Sequence, residues 1–360
     1  MLRGAALTRR YVEEDCVKAY VAGRVAYARD AFAGLDLMDK IVTGRFDAHL
    51  DEVRRRSEGW PVNQTHKLGC AADPKPLRPV DVEEIPLRRA ELIRNVPVPE
   101  PPFWGPRVIT QVPAKAVVPY LNDRMLYQFQ WGYRKDGRNL AEYRERAKDE
   151  LRPVLRRMLD IAIREEILVP QAAYGYWPCA AEGNDLILFE ANGERELTRF
   201  SFPRQNKEGG LCIADFFRDA GDGTRDVIAL QVVTMGRRAS EAAREWFAQN
   251  RYQDYLYLHG LSVEMAEAFA EYLHKRIRGE LGFAAEEARE PEAMLAQGYR
   301  GSRYSFGYPA CPNLADQKQL LALLNAEEIG ITLSEEDQLD PEQSTSAIVV
   351  HHPQAKYFSV

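Results

Sequence analysis

Cysteine is scarce in this sequence and follows no pattern. Five are scattered at Cys16, Cys70, Cys179, Cys212 and Cys311, an odd number with no CxxC pair and no zinc-ligand spacing. The plain reading is free thiols in a reducing compartment. No apolar run approaches the ~20 residues that a membrane helix needs. The opening MLRGAALTRRYVEED holds too short a greasy segment for a secretory signal. A soluble, cytoplasmic protein is expected. Positive charge is also in short supply: the net charge is −6 and the pI about 5.7. No bulk basic field attracts nucleic acid or anionic lipid, so neither is an expected partner. The RRR at 54–56 is offset by neighbouring acids and reads as a solvated helix face. P-loop, GxSxG and HExxH motifs are missing. The nearest approach to a Rossmann glycine pattern is GDG at 221–223, which follows the helix-like DFFRDA, lacks a third glycine and reads as a polar turn.

What is present supports a packed core. Apolar residues make up 45% and aromatics 10% of 360 residues, room for two or three domains at ~100–200 residues each. The segment 23–44 reads as a short strand, VAYA, followed by a helix with Phe32, Leu35, Leu37, Met38 and Ile41 on one side. A second, charged helix, FDAHLDEVRRRSEG, comes next. One strand and two helices cannot close a core, so this end looks like a piece of a domain. Eleven of the 21 prolines lie between 61 and 113. The stretch VPVPEPPFWGPR cannot be helical, because proline removes an amide donor and restricts the residue before it. With Phe103 and Trp104 inside, it reads as an arm laid across the following domain.

From about 114 the pattern mixes helices and strands. Residues 139–168 read as an amphipathic helix interrupted at Pro153, and DLILFE, ELTRFSFP and DVIALQVVTMG as strands. LSVEMAEAFAEYLHKRIRGELG (261–282) reads as a helix capped by Ser262 and ending near Gly279 and Gly282. A further helix, LADQKQLLALLNAEEIG, precedes the terminal AIVVHHPQAKYFSV, which adds one or two strands.

Most of the candidate sites have a simple structural account. His351 and His352 adjoin on a strand and face opposite sides, which suits sheet packing better than chelation. Glu267, Glu271, His274 and Arg278 form a helical stripe of the kind that is ordinarily wet, with Glu271 and Lys275 as an i,i+4 pair. DAHLDE at 47–52 comes close to the cobalt-ligating DxHxxG of cobalamin domains, but Glu52 stands where glycine belongs. Cys311 lies between two prolines that read as shape control rather than activation. RYSFGYPACP (303–312) combines more: a donor fork at Arg303, a permissive Gly307, an aromatic hydroxyl at Tyr308, and prolines holding the peptide of Ala310 and Cys311 extended. A carboxylate, a charged sulfur and an aromatic base would all find partners there.

In its surroundings this stretch becomes specific. The order AEAFAEYLHKRIR, GYRGSRYSFGYPACP, HHPQAKYF resembles the S-adenosylmethionine-binding reactivation domain of cobalamin-dependent methionine synthase. PEPPFWGPRVI, YLNDRMLYQFQWGYR, PRQNKEGGLCIADFF and DVIALQVVTMG extend the resemblance over roughly residues 95–360. It implies an α+β fold, a curved antiparallel sheet with flanking helices rather than a Rossmann methyltransferase. By position it implies a ligand site of Asp123, Arg303, Gly307, Tyr308, Ala310, Tyr357 and Phe358, with Glu267 and Gln297 as further candidates and no protein-bound metal.

The implied organisation has three parts. Residues 1–60 would be the last strand and helix of a cobalamin-binding domain, 61–105 a proline-rich linker or arm, and 106–360 the activation domain. The implied function is reactivation of cob(II)alamin by reductive methylation from S-adenosylmethionine. The cobalamin would sit on a partner methionine synthase chain or missing domain, and a flavodoxin-like reductant would serve it. The alternatives are a docking module for a corrinoid protein or flavodoxin that has lost the ligand, and a free-standing methyltransferase, for which no base or nucleophile is evident.

Overall fold

The computed structural model describes residues 12, 17, 20, 23–28, 31–57, 92–134, 139–205, 209–288, 293–294, 297–358 and 360. The chain divides into two units, Met1–Leu77 with Tyr127–Arg144, and Arg78–Leu126 with Glu145–Val360.

In the first unit, α1 (Ala31–Val42) and α2 (Phe46–Ser57) meet around Ala26, Ala28 and Leu37, with Ala33, Phe46 and Leu50 packed against them. The buried stripe of α1 is therefore Ala33 and Leu37. Met38 and Ile41, read from the sequence as part of the same face, are about half exposed. The expected strand VAYA has a single bridging residue, Tyr27. Phe32 lies outside the residues whose side chains are described. In the same unit Tyr127 and Trp131 are buried, with rings 5.5 Å apart.

The second unit is built on an antiparallel sheet. Its strands are β1 (Gly105–Ile109), β2 (Gln171–Glu182), β3 (Asp185–Phe189), β4 (Glu196–Ser201), β5 (Asp226–Thr234), β6 (Ser302–Ser305) and, beyond a small β7 (Thr332–Leu333) and β8 (Leu339–Asp340) hairpin, β9 (Ser344–Val350). The order is β4-β3-β2-β5-β9-β6, with β1 also paired to β2. Along one edge β2 pairs with β5; the other edge is shared by β1, against Ala172 to Tyr176, and β3, against Cys179 to Glu182. Pro178, which lacks an N–H, falls in the interval where β1 has ended and β3 has not begun. The strands β3, β4, β5 and β9 confirm the sequence reading. The long central β2 is unanticipated, because Ala, Gly and Pro dilute its β signal.

Side chains alternate between two covered faces. On one, Ala173, Trp177, Leu230, Val232, Tyr304 and Ile348 pack with Leu320 and Leu324 of α6 (Gln317–Leu324). On the other lies α5 (Tyr252–Glu280), preceded by α3 (Arg152–Arg164) and α4 (Arg237–Ala248). There Gln231 donates to the carbonyl of Ala270 at 3.2 Å, and Tyr174 and Tyr176 both donate to Glu280. All nine residues of β5 are buried, as double coverage requires.

One helix boundary differs from expectation and another agrees with it. The helix α5 starts at Tyr252, so Ser262 is internal; its hydroxyl bonds back to the Leu258 carbonyl at 2.8 Å instead of capping. The interruption at Pro153 is real. A wide-turn stretch, Ala147–Leu151, precedes it, and Pro153 enters the first turn of α3, where its missing donor is tolerated. The proline-rich arm does cross the sheet domain, over its described residues 92–109. His352 Nε2 bonds the Ile93 carbonyl at 3.0 Å, Arg218 donates to the Val96 carbonyl, and Phe103 packs edge-on against Tyr174 and Tyr176. At the end of the arm Gly175 lets β1 approach: a Cβ there would lie 2.2 Å from the Gly105 carbonyl oxygen.

Candidate functional site

β6 ends the sheet path and, among the described residues, pairs with β9 alone. Alternation turns Tyr304 into the core with Phe216 and Phe358, and sends Arg303 to the opposite face, towards α5. The helix meets it with acids. Arg303 Nη1 is paired directly with Glu271 Oε2, while Arg303 Nη2 faces Glu267 at 3.6 Å, beyond hydrogen-bond reach. Arg303 is 20% and Glu267 37% exposed at the side chain, so Arg303 is partly covered and Glu267 is the outer member of the pair. Burial works against the Arg303 charge, but Glu271 and Glu267 hold its pKa above the ordinary arginine value.

The stripe of Glu267, Glu271, His274 and Arg278 is not wet. Glu271, His274 and Arg278 are all buried. Arg278 Nη1 and Nη2 each donate to Glu271 Oε1 at 3.4 Å, and its Nε donates to Glu287 at 2.7 Å. Tyr299 donates to Glu271 Oε2 at 3.3 Å, and its ring lies 3.8 Å under the Arg278 guanidinium. Burial, then the Glu271 charge, pushes the Tyr299 hydroxyl up to about 12. His274 sits edge-on to Tyr299 at 5.1 Å; burial first, then Arg278 and Arg303, drive its pKa well below the usual histidine value. Lys275, the expected partner of Glu271, instead reaches over the ring of Tyr120. No local signal in α5 marks the stripe as buried, because Ala268, Phe269, Ala270, Leu273 and Ile277 occupy the opposite side of the helix and leave the stripe as an ordinary polar face.

The remaining predicted residues fall into two groups. After β6 the chain turns at Gly307 (φ +87) and closes on itself: Gly307 N–H bonds the Cys311 carbonyl and Cys311 N–H the Tyr308 carbonyl, each at 2.9 Å. Cys311 therefore uses both backbone groups inside the loop. Its thiol and Ala310 are buried, and burial pushes the thiol pKa up. Tyr308 is exposed at the loop tip, edge-on to Tyr357 at 6.5 Å. The charge of Glu267, then burial, raises the Tyr308 hydroxyl. Tyr357 rides on a fastened tail: Tyr304 donates to the Lys356 carbonyl at 2.8 Å, and Lys356 Nζ donates to the Gln297 carbonyl at 3.1 Å. Gln297 thus meets this group through its backbone, at a left-handed φ of +58. Phe358 belongs to the core rather than to the rim.

Asp123 stands apart. It is exposed at the start of a single helical turn (Asp123–Met125), three residues after Tyr120, whose ring packs edge-on against Tyr272 of α5. No hydrogen bond or ion pair among the described residues joins its side chain to the Arg303 group. Among those residues no His, Cys, Asp and Glu cluster could hold a metal ion, and no helix is long and apolar enough to cross a membrane.

Residues 114–360 match the family model described as vitamin B12 dependent methionine synthase, activation domain. The whole chain aligns with methionine synthase of Mycobacterium tuberculosis (43% identical) and of Mycobacterium leprae (41%), spanning 32% of the length of each. Among solved structures it is similar to the crystal structure of the MetH reactivation domain bound to AdoHcy. That match has a TM-score of 0.66 at 25% identity and covers 76% of this chain and 88% of that one.

Proposed function

The chain belongs to the family of vitamin B12 dependent methionine synthase activation domains, and from that premise we propose that residues 106–360 bind S-adenosylmethionine at the Arg303 margin of the sheet and present it for reductive methylation of cob(II)alamin. One observation carries the reading. A cationic edge, Arg303 Nη2, and a partly exposed acid, Glu267, stand side by side near the exposed Tyr308. A zwitterionic amino-acid end with an adjacent sulfonium has the complementary charges. The AdoHcy named with the similar reactivation domain is a ligand of that shape.

The roles follow from charge and exposure. Arg303 takes the ligand carboxylate through charge-assisted bonds, each about 1.5–3 kcal/mol. Glu267, and Asp123 brought up on its short turn, face the cationic end. Gly307 and Ala310 present backbone, and Tyr308 and Tyr357 wall the cation or the base with their rings. Phe358 supports Tyr357 from the core, and Gln297 does so through its carbonyl. The bound sulfonium supplies a methyl group already activated for departure, so this chain contributes alignment and exclusion of water rather than a base or a nucleophile. Cys311, buried with a raised thiol pKa, fits that division of labour.

The methyl acceptor, a cobalamin, is carried by a partner chain or another segment, and residues 1–60 are the end of such a cobalamin-binding domain. A flavodoxin-like reductant supplies the electron, and the setting is cytoplasmic. A second reading, a docking module without ligand, is favoured by one observation: Arg303 is already engaged by Glu271. Titration calorimetry separates the two. The proposal expects S-adenosylmethionine binding by the wild type and at least tenfold weaker binding by a folded Arg303→Ala variant. Unchanged affinity in that variant, or no binding by the wild type, overturns it.

A further inference from the structure

We infer that Glu271 is the positioning residue of this site: held between Arg278 and Tyr299, it fixes the Arg303 guanidinium so that one edge is occupied and the other is aimed at the ligand carboxylate. This deepens the proposal above and rests on its reading of Arg303.

The argument is one of geometry. A free arginine side chain is long and its planar fork can point many ways, so a carboxylate that captures it must first order it. Here the ordering is built in. Both oxygens of Glu271 are committed: Oε1 accepts from two nitrogens of Arg278 and Oε2 from Tyr299 and Arg303. Arg278 is fixed in turn by Glu287 and by the Tyr299 ring beneath it. Glu271 therefore cannot swing, and Arg303 Nη1 cannot leave it without stranding a buried charge. Glu267, by contrast, lies 3.6 Å from Nη2 with a side chain 37% exposed. Of the two acids it is the one an incoming carboxylate can displace. Charge agrees with this division. Arg278 and Arg303 stand against Glu271, Glu287 and Glu267, with buried Glu264 also acting near Tyr308, and of these acids Glu267 is the most exposed.

The test must distinguish aiming from mere stability. S-adenosylhomocysteine carries the amino-acid end and 5′-methylthioadenosine lacks it, carboxylate and ammonium together, so the pair reads out the contacts of that end and the double variant below assigns the loss to Arg303. Calorimetric titration of the full chain is expected to show that Glu271→Gln weakens S-adenosylhomocysteine at least tenfold and leaves 5′-methylthioadenosine within about twofold. In the Glu271→Gln/Arg303→Ala double variant the loss should be no greater than in Arg303→Ala alone. Equal loss for both probes, or additive losses in the double variant, overturns the inference. Should Glu271→Gln fail to fold, Tyr299→Phe decides: deleting one donor to Glu271 is expected to give a smaller loss, roughly two- to fivefold, confined to the carboxylate-bearing probe. A loss shared by both probes, or none, overturns the inference. A wild type that binds neither probe removes the ligand reading itself, and the inference with it, an outcome distinct from a binding wild type with an indifferent Glu271 variant.

Discussion

Glu271 on α5 and Arg303 on β6, thirty-two residues apart, form a direct ion pair at the margin of the sheet. Arg278 meets the other oxygen of the same carboxylate, so a single acid bridges two guanidinium groups. The pair connects the main helix of the α+β domain to its last strand.

Breaking this bridge at its buried end should be expensive. Arg278→Met leaves Glu271 short of a partner and Glu287 unpaired, both with side chains 7% exposed. Removing one member of a buried ion pair typically costs about 3–5 kcal/mol. Urea denaturation followed by circular dichroism should show that loss, whereas Arg238→Ala, at an exposed helix-surface pair, should stay within about 0.5 kcal/mol.

Stability should fall on mild acidification. His274 and His352 both have folded-state pKa values below the unfolded value of 6.5, burial being the main cause in each. Around His274 stand Arg278, Arg303, Tyr299 and Glu271. Around His352 stand the Ile93 carbonyl, His351, Asp226 and Arg300. His352 donates from Nε2 to Ile93 and accepts at Nδ1 from the Gln354 N–H at 3.1 Å, an arrangement that only the neutral ring can satisfy. A depressed histidine favours folding above its unfolded pKa and loses that contribution as pH drops towards the folded one. The melting temperature should be level above about pH 7 and decline from pH 6.5 downward. The slope should be shallower in His274→Phe, and an unchanged slope would count against the assignment.

The arm is held by close approach, and Gly175 is its sensitive point. A Cβ at 175 meets the backbone carbonyl of Gly105 and the buried ring of Trp177, neither of which can readily give way. Gly175→Ala should destabilise by about 1–3 kcal/mol or more. It should also expose the segment 92–109 to limited proteolysis before the rest of the domain is cut.

Cys179, Cys212 and Cys311 are buried, and burial raises the thiols of Cys179 and Cys311. A thiol-directed alkylating reagent at neutral pH should leave all three unmodified in the native protein and label them after denaturation, as mapped by mass spectrometry. Rapid native labelling of Cys311 would reopen a nucleophilic role.

Much of the architecture was legible in the sequence where periodicity was strong. DVIALQVVT reads as a covered strand and is one, and the proline-rich arm reads as extended because proline allows little else. The motif around Arg303 fixed the family, because several stretches occur in order. The misreadings share a cause. Polar residues on α5 were assigned to solvent by their type, but whether Glu271 or Arg278 is buried depends on partners supplied by Arg303, Glu287 and Tyr299, which lie elsewhere in the chain. Ser262 reads as a cap because serine favours that place, but packing carries the helix through it. The strand β2 escaped notice for the complementary reason. Ala172, Ala173 and Gly175 have weak intrinsic strand preference, and neighbours on both edges impose the conformation.

The strand that bears Arg303 is four residues long and, among the described residues, has a neighbour on one side only. An outermost strand can fray and re-anneal without unzipping the ladder beside it, so its openings are smaller events than global unfolding. Traffic of small molecules at this hem is thereby uncoupled from the survival of the central β2–β5 pair. Hydrogen exchange should run faster in Ser302–Ser305 than in Asp226–Thr234.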